Sequence, residues 1–589
     1  DENGDYSIFP DMAQYPNPIS LLEVTDKTTS DRVLVNGYLQ AEPIKGLTLK
    51  ANLGVDRRYD KNKSYVPNTT VAGAAKGGIA NILQRDNIDY LMELTANYTK
   101  DFGNHSLTAL VGYSYQQFNQ ESVYAGNEDF STDGFLYNNL QAGAGTKPYV
   151  NSSARKSALG SYFARANYSY LGKYLLTVTV RADGESNFHP DYRWGYFPSV
   201  SAGWRFSDEE FMKPLSSILS NGKLRASYGQ TGNSNIGNYM TDSYGVVSGW
   251  VFGNDGYMGT AITKRGNKKL TWETTSEFNI GLDLGFFDNR ISLSMEYYNR
   301  IISDLLVSNK SLPAYNEINT IAANIGKTQG RGFELTLSTV NIMNKDWTWS
   351  TDFTFYTFKD NWYERDPNWK PAAYESKKDP IRSYYSYVSD GLLQVGEKAP
   401  AWQPTLVPGQ IKLKNLYDTG TSPNVLDQYD KVNLGSQDPK CTLGLNNTLR
   451  YKNLNFNIYF YGEIGRLRGA SYYDAWIVGL GNSLTNVSQQ SLHSYTNANQ
   501  NTTVPNLIES AYDFGDYYHK KINYLRCRNI TLGYTIPVSK SIANSVRISA
   551  NVSNPFVFTN WNGVDPETDT GNFSYPNVTS FSFGIDISF

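Results

Sequence analysis

The final ten residues of the chain alternate without error between apolar and polar side chains. The apolar positions of this segment, which starts at Ser580, are Phe581, Phe583, Ile585, Ile587 and Phe589. Successive side chains of a β-strand point to opposite faces, so this period of two predicts a strand with one apolar face. The same alternation recurs along the chain, for example in residues 290–300, 347–355, 454–461 and 546–553.

The alternation predicts about 17 strands, most of them in pairs joined by short turns. These strands are residues 31–43, 45–57, 88–100, 104–117, 158–170, 173–182, 198–206, 222–229, 272–286, 290–301, 330–340, 346–357, 440–452, 454–463, 523–535, 544–553 and 578–589. One of the turns, residues 207–221, is longer than the others and predicts a helical turn around Phe211 to Leu219.

Long connections alternate strictly with the short ones and are rich in Gly, Asn, Asp, Ser and Tyr. They are expected at residues 60–87, 119–157, 183–197, 230–271, 302–329, 358–439, 464–522 and 555–577. Short turns on one side and long loops on the other are typical of outer-membrane β-barrels, whose long loops lie outside the cell. Loops of this length often carry function.

Composition alone leaves a large soluble β protein open as an alternative. The 589 residues have a mean hydropathy of −0.48, and no apolar run approaches the roughly 18 residues of a membrane helix. The 45 Tyr residues and the 14% aromatic content suit the aromatic girdles of a membrane barrel. The net charge of −3 gives no indication of a nucleic-acid surface. Cys441 and Cys527 lie about two strands apart, too far for a disulfide.

Clean alternation over about ten residues per strand favours the membrane barrel. Lipid explains the apolar faces, and a polar lumen explains the opposite faces, because Arg or Lys facing lipid at the midplane would cost about 2–4 kcal/mol. The aromatic end at Phe589 resembles the last strand of outer-membrane barrels. The fold is therefore expected to be an all-β antiparallel transmembrane barrel, with about 17 of an expected 22 strands present.

Strand parity assigns the first part of the chain to an outer loop. The last strand runs inward, and counting back about 16 strands makes the first one run inward as well. Residues 1–30 are then an extracellular loop and residues 31–589 the barrel. An odd number of N-terminal strands is expected to be missing, since bacterial single-chain barrels have even strand counts. The start at Asp1, with no signal peptide, is expected to mark a fragment or a processed chain.

Several ordered segments resemble the SusC-like family of TonB-dependent transporters. They are Tyr15 to Glu23, Leu224 to Asn233, Trp272 to Leu306, Tyr524 to Pro537 and Asn554 to Glu567. The resemblance covers almost all of the chain. It implies import of a nutrient, usually a glycan and sometimes a peptide, across the outer membrane of a Gram-negative cell. Nothing in the chain matches the signal peptide, N-terminal extension, TonB box or plug domain of that family.

The resemblance also implies partners. A SusD-like surface lipoprotein would cover the barrel mouth as a lid, and the TonB complex would supply energy through the absent N-terminal part. Two transporter–lid pairs would form a dimer, and outer-membrane lipid would surround the wall. We expect no cofactor.

Catalytic and metal-binding signatures are absent from the sequence, and the four histidines are scattered, so we expect no enzyme and no metal site. Acidic clusters such as Asp565 to Asp569 offer oxygen ligands for calcium. They lack the full pattern of an EF-hand calcium loop, so we expect solvated turns there. Aromatic loop residues are the candidates for substrate contact, because flat rings stack on sugar faces. These candidates are Trp250, Tyr257, Trp362, Trp369, Tyr374 and Trp402.

Three alternatives remain open for these residues and for the chain. The aromatic residues could instead pack the loops together or contact the lid protein. The barrel could be a passive porin or a structural or adhesion barrel at the cell surface, which would need no energy input. An enzyme barrel would need catalytic groups brought together from distant loops.

Overall fold

The structure is a computed structural model that describes residues 6, 17–146, 148–252, 255–313, 318, 320–417, 424–469, 489–508, 512–538, 543–561, 565–568 and 575–588. Most of residues 244–264 are described by their backbone alone. Antiparallel strands dominate it. The main sheet has 17 strands, and each pairs with the next one along the chain.

The main sheet confirms all 17 predicted strands. They are β1 (Thr25–Ile44), β2 (Leu47–Val66), β3 (Ile79–Phe102), β4 (His105–Glu128), β5 (Tyr149–Tyr170), β6 (Tyr174–Glu185), β7 (Trp194–Trp204), β8 (Leu219–Asn233), β11 (Glu273–Phe286), β12 (Ile291–Ser303), β15 (Lys327–Met343), β16 (Trp347–Glu364), β21 (Cys441–Tyr451), β22 (Leu454–Gly469), β23 (His519–Ile536), β24 (Ser545–Thr559) and β25 (Ser580–Ser588). Within the described residues, β1 and β25 each pair with one neighbour, and closure by further strands to 22 stays a prediction.

In the described parts of the long connections, eight further strands form small hairpins and sheets. They are β9 (Tyr244–Phe252), β10 (Asp255–Lys264), β13 (Leu306–Ser311), β14 (Thr320–Asn324), β17 (Ser383–Ser386), β18 (Ser389–Leu392), β19 (Ile411–Leu413) and β20 (Val432–Ser436). The sequence predicted none of them.

Among the described residues, helical structure is confined to connections, and the α-helix there, α1, spans Val71–Ala74. The 3₁₀ helices of the described residues are Ser20–Glu23, Asp133–Phe135, Leu140–Ala142, Pro190–Tyr192, Phe206–Asp208, Glu210–Leu215, Gln428–Asp430 and Gln489–His493. The helical turn predicted around Phe211 to Leu219 is therefore present, although it ends at Leu215.

Several strands extend further toward the long loops than the sequence predicted. The first strand begins at Thr25 rather than at residue 31, and β3 begins at Ile79 rather than at residue 88. The expected loops 60–87 and 183–197 shrink to residues 67–78 and 186–193. Both faces of these outer ends are polar, as in Lys61–Asn62–Lys63–Ser64, so alternation gives no signal there.

Strand register places apolar and polar side chains on opposite faces of the whole wall. One cross-strand row is formed by Phe583, Ala550, Leu532, Phe456, Leu449 and Trp349. The neighbouring row, one residue along each strand, is formed by Ser582, Asn551, Thr531, Asn457, Thr448 and Ser350. Apolar side chains of the first face are widely exposed, for example Phe583 at 83% and Leu532 at 47%. This face is the lipid-facing surface, and the polar face lines the lumen.

Cys441 and Cys527 are both free, as expected from their strands. Within the part of the chain that the structure describes, no helix is long and apolar enough to cross a membrane.

Candidate functional site: the lumen wall and the outer loops

A row of long polar side chains crosses five strands on the lumen face, in the half of each strand that leads to the long loops. The row is Arg32, Arg58, Asn87, Gln120 and Arg155, and strand register brings each residue beside the next. These residues line a cavity of about 480 Å³. The cavity has the polar character that a path for a hydrated substrate needs.

Charges in this cavity are only partly neutralised by each other. Arg32 donates two hydrogen bonds to Asp56, at 2.9 and 2.6 Å, and Arg58 pairs with Asp60 at 3.0 Å. Arg155 and Asp89 also line the cavity, and neither forms an ion pair with another described side chain. The cavity therefore offers one guanidinium and one carboxylate to a ligand or to another part of the protein.

A second charged group lies on the lumen face between β8 and β12. Arg225 bridges two carboxylates, with its Nη2 2.6 Å from Glu296 and its Nε 3.2 Å from Asp283. Gly281 makes room for this guanidinium, because a Cβ at that position would lie 2.5 Å from Arg225 Cζ. Arg225 also lines a smaller cavity of about 260 Å³.

The loop between β16 and β21 is packed into a compact lobe with the loop that precedes β23. The core of this outer lobe is formed by Leu392, Ile411, Leu413, Tyr495, Tyr518, Ile522, Tyr524 and Trp561. Hydrogen bonds reinforce the contact: Asp516 accepts from the Ser389 N–H at 2.7 Å, and the Asn506 N–H donates to the Gly409 carbonyl at 3.0 Å. The lobe therefore forms a fixed surface above the lumen.

Two of the predicted aromatic residues are brought together on one hairpin. Trp250 in β9 pairs in register with Tyr257 in β10. The Tyr257 side chain is 53% exposed, whereas the Trp250 side chain lies outside the described residues. This hairpin belongs to a long loop and presents Tyr257 to solvent.

Of the other four predicted aromatic residues, three lie in the loop between β16 and β21, whereas Trp362 lies in β16 near its outer end rather than in a loop. The Arg365 guanidinium lies 3.7 Å from the Trp369 ring centre and 5.4 Å from that of Trp362. The Tyr374 ring centre lies 5.1 Å from that of Tyr385, and Trp402 Nε1 donates to the Leu413 carbonyl at 2.8 Å. These contacts stabilise the loop. A role of these four residues in substrate contact stays a prediction.

Sequence reasoning missed a buried ion cluster that attaches the last outer loop to the barrel. Arg526 in β23 donates from Nη2 to Asp565 at 2.9 Å and from Nε to Glu567, and Arg528 donates to the second oxygen of Glu567 at 2.5 Å. The solvated turn expected at Asp565 is wrong, because the side chains of Arg526 and Asp565 are 4% and 3% exposed. The quoted segments at 524–537 and 554–567 contain all four residues, but neither segment indicates the pairing.

The environment of Asp565 keeps it ionised. Burial acts to raise the pKa of this carboxyl, but the backbone N–H groups of Glu567 and Asn577 and the charge of Arg526 outweigh it and lower the pKa below its ordinary value. Those two N–H groups donate at 2.8 and 2.9 Å. Among the described residues, no group of three or more His, Cys, Asp or Glu side chains is placed to hold a metal ion.

Comparison with known proteins places this architecture in a family. Residues 2–554 match the family model described as TonB dependent receptor-like, beta-barrel. TonB-dependent receptor P3 of Formosa agariphila is 32% identical over 100% of this chain and 61% of its own length. TonB-dependent receptor SusC of Bacteroides thetaiotaomicron is 28% identical over 99% of this chain and 58% of its own length.

Solved structures agree with this assignment. The chain matches the structure of the RagAB peptide transporter with a TM-score of 0.84 and 26% sequence identity. The match covers 100% of this chain and 65% of that chain. The chain thus spans about three-fifths of the length of the curated relatives it matches. The wall with one lipid-facing and one polar face, together with these matches, shows that the chain belongs to the TonB-dependent receptor-like β-barrel family of the Gram-negative outer membrane, and that it is SusC-like.

Proposed function

We propose that the chain is the barrel wall of an importer that carries a nutrient across the outer membrane. The observation that carries this proposal is the lumen face, where Arg32, Arg58 and Arg155 line a cavity close to the outer loops. In the proposed cycle, substrate binds among the outer loops and this cavity, and pulling by TonB on a plug outside this chain opens the path. Binding and release would follow from differences in contact between the two states rather than from bond chemistry. The relatives are named as receptors and transporters, and we propose no catalytic role.

An oligosaccharide is the first candidate substrate, and a peptide is the second. Hydroxyl groups suit a cavity with Asn87, Gln120 and ion-paired Arg32, because these groups donate and accept hydrogen bonds in a wet site. A peptide is supported by Arg155 and Asp89, which could meet a terminal carboxylate and a terminal amine, and by the name of the RagAB peptide transporter.

The six aromatic residues stay the proposed substrate contacts, with Tyr257 and Trp250 foremost. Tyr257 is supported by its exposure, and Trp250 by its cross-strand position beside Tyr257. Trp362, Trp369, Tyr374 and Trp402 are better placed to shape the loop that holds the site, because their rings and polar atoms already contact loop residues.

A SusD-like lipoprotein is the proposed lid. Support comes from apolar side chains exposed on the outer lobe, where a partner can bury them: Val395, Val407, Leu492, Leu507 and Ile508 are between 37% and 82% exposed. We also propose that two transporter–lid pairs form a dimer. Residues 1–30, which precede β1 and include its start, would lie on the outer side of the membrane.

Deletion of residues 366–437 from the intact transporter tests this function. The deletion removes the part of the outer lobe between β16 and β21, including Leu392, Ile411 and Leu413 of its core, and spares both strands. The protein should therefore insert normally and fail to bind the lid or take up substrate. Insertion is checked by the shift in electrophoretic mobility on heating. Unchanged uptake by an inserted deletion variant would contradict the loop assignment. Uptake that persists after a protonophore collapses the membrane potential would support the passive porin instead.

A further inference from the structure

The turn between β7 and β8 differs from the other inner turns in its length and direction. It spans residues 205–218, whereas the turns after β1, β3 and β21 each contain two residues. Its two 3₁₀ helices, Phe206–Asp208 and Glu210–Leu215, fold back onto the lipid-facing side of the wall. The Phe206 ring covers Gly222 on that face, where an added Cβ would lie 2.5 Å from the ring.

A single carboxylate fixes the turn in this position. Glu209 accepts hydrogen bonds from Tyr174 Oη at 2.6 Å, from Trp204 Nε1 at 3.1 Å and from Lys173 Nζ at 3.1 Å. Tyr174 and Trp204 are cross-strand partners on the lipid-facing surface. Three donors at the inner end of the wall therefore converge on one side chain of the turn.

The aromatic belt at the inner end of the barrel leads to this turn through Tyr174 and Trp204, which are cross-strand partners that both donate to Glu209. The ring centres of successive aromatic residues lie close together: 5.1 Å from Phe102 to His105, 4.8 Å from His105 to Tyr170 and 6.2 Å from Tyr170 to Tyr174. Trp204 then contacts Phe206 at 5.9 Å and Phe211 at 6.5 Å. Aromatic rings at both ends of a membrane barrel lie at the level of the lipid headgroups, so the turn lies at that level too.

Large apolar side chains of the turn remain uncovered. Phe211 is 65% exposed, Leu215 49% and Ile218 48%. On the far side, the Ile218 carbonyl accepts from the Phe287 N–H at 2.9 Å, and Phe287 is itself 50% exposed. The exposed apolar surface thus runs from the belt at Trp204 across the turn to the next inner turn.

We propose that residues 205–218 form an interfacial foot, which lies in the headgroup region of the inner leaflet with Phe211 and Leu215 in the acyl boundary of the phospholipid. Its apolar side binds lipid as an interfacial amphipathic segment does. In this position its charged side chains can reach water, since Glu210 and Lys213 are 79% and 68% exposed and pair with each other at 2.6 Å. The foot fixes the depth of this side of the barrel, independently of any substrate.

Spin labels test the foot in the full-length transporter reconstituted in phosphatidylethanolamine and phosphatidylglycerol vesicles. Cys441 and Cys527 are first replaced by Ser, as is any cysteine of the remaining chain. Nitroxides are then placed singly by Phe211→Cys, Leu215→Cys and, as the matched control in another inner turn, Lys345→Cys. Collision with oxygen, which enriches in lipid, is compared with collision with a water-soluble nickel chelate.

The foot predicts that oxygen relaxes the labels at 211 and 215 several-fold more effectively than the nickel chelate, with the opposite ratio at 345. Nickel accessibility at 211 equal to that at 345 would overturn the proposal, because the turn would then lie in water. Low accessibility to both reagents at 211 would also overturn it, by showing that another part of the protein covers the turn. Because the labelled side chains are already exposed, the labels need not disturb the fold.

Discussion

Arg526 and Asp565 form an ion pair of 2.9 Å whose two side chains are almost fully withdrawn from solvent. The pair joins β23 to the last outer loop, and the same guanidinium also binds Glu567. Removing one partner from a buried pair leaves a buried charge without compensation and costs about 3–5 kcal/mol. These ion pairs therefore attach the last outer loop to β23, alongside Trp561, which packs into the core of the outer lobe.

Replacing Arg526 by Ala is expected to release the last outer loop. The free energy of local opening should fall by several kcal/mol, about 3–5 by analogy with other buried pairs. Hydrogen exchange of the Glu567 and Asn577 amides, which donate to Asp565, reports the opening. Arg528→Ala is the matched control, because Arg528 binds the same Glu567 from a site with 32% exposure and should change the exchange much less. Equal exchange rates in the two variants would contradict the larger contribution expected of Arg526.

The pH dependence of the same loop follows from the lowered pKa of Asp565. Since the folded pKa lies below the ordinary value of about 3.9, the ionised form stabilises the folded loop at neutral pH. This stabilisation is fully present above the ordinary pKa and is lost as the pH falls through the folded pKa. Exchange of the Glu567 and Asn577 amides, corrected for intrinsic rates, should stay slow from pH 7 to about 4 and rise only below. The Asp565→Asn variant should lack this pH dependence.

Gly332 is expected to be essential to the lumen wall at Tyr298. A Cβ at Gly332 would lie 2.5 Å from the Tyr298 ring, whose hydroxyl lies 2.7 Å from that of Tyr356. Overpacking costs about 1–3 kcal/mol, so Gly332→Ala should lower the temperature at which heating changes the electrophoretic mobility of the folded barrel. Gly160→Ala is the control, since nothing lies within 4 Å of a Cβ there. A similar loss of stability in both variants would contradict this account.

Tyr257 and Trp402 should differ in what they do for uptake. Tyr257→Ala is expected to weaken substrate binding, because the side chain is 53% exposed on a hairpin of an outer loop. Trp402→Phe removes the bond to the Leu413 carbonyl and should loosen the outer lobe by about 0.5–1.5 kcal/mol. Binding by calorimetry and loop opening by hydrogen exchange separate the two effects. Unchanged binding in Tyr257→Ala would remove this residue from the site.

The strands of the wall could be predicted from the sequence because each carries one lipid-facing side. Leu454, Phe456, Ile458 and Phe460 repeat every second residue, and a one-residue shift in register would expose the polar side to lipid. Beyond the membrane this constraint ends. Outer strand ends such as Lys61 to Ser64 are polar on both faces, so the sequence predicts loops where the structure has strands.

The candidate site was less predictable, since it depends on contacts between distant segments. Arg526 and Asp565 stand 39 residues apart, and Ser389 and Asp516 stand 127 apart. Each residue alone has the features of an ordinary surface position, and only the fold brings the partners together. The lumen row from Arg32 to Arg155 was likewise hidden, because register across five strands is needed to align it.

Purification of the intact protein from native outer membranes, followed by mass spectrometry of the chain and its bound partners, tests the importer account most directly. The account predicts a polypeptide well above the 66.1 kDa of the present chain, carrying a plug and bound to a surface lipoprotein. A stable 66.1 kDa barrel with neither plug nor lipoprotein, open to ions in a planar bilayer, would contradict it.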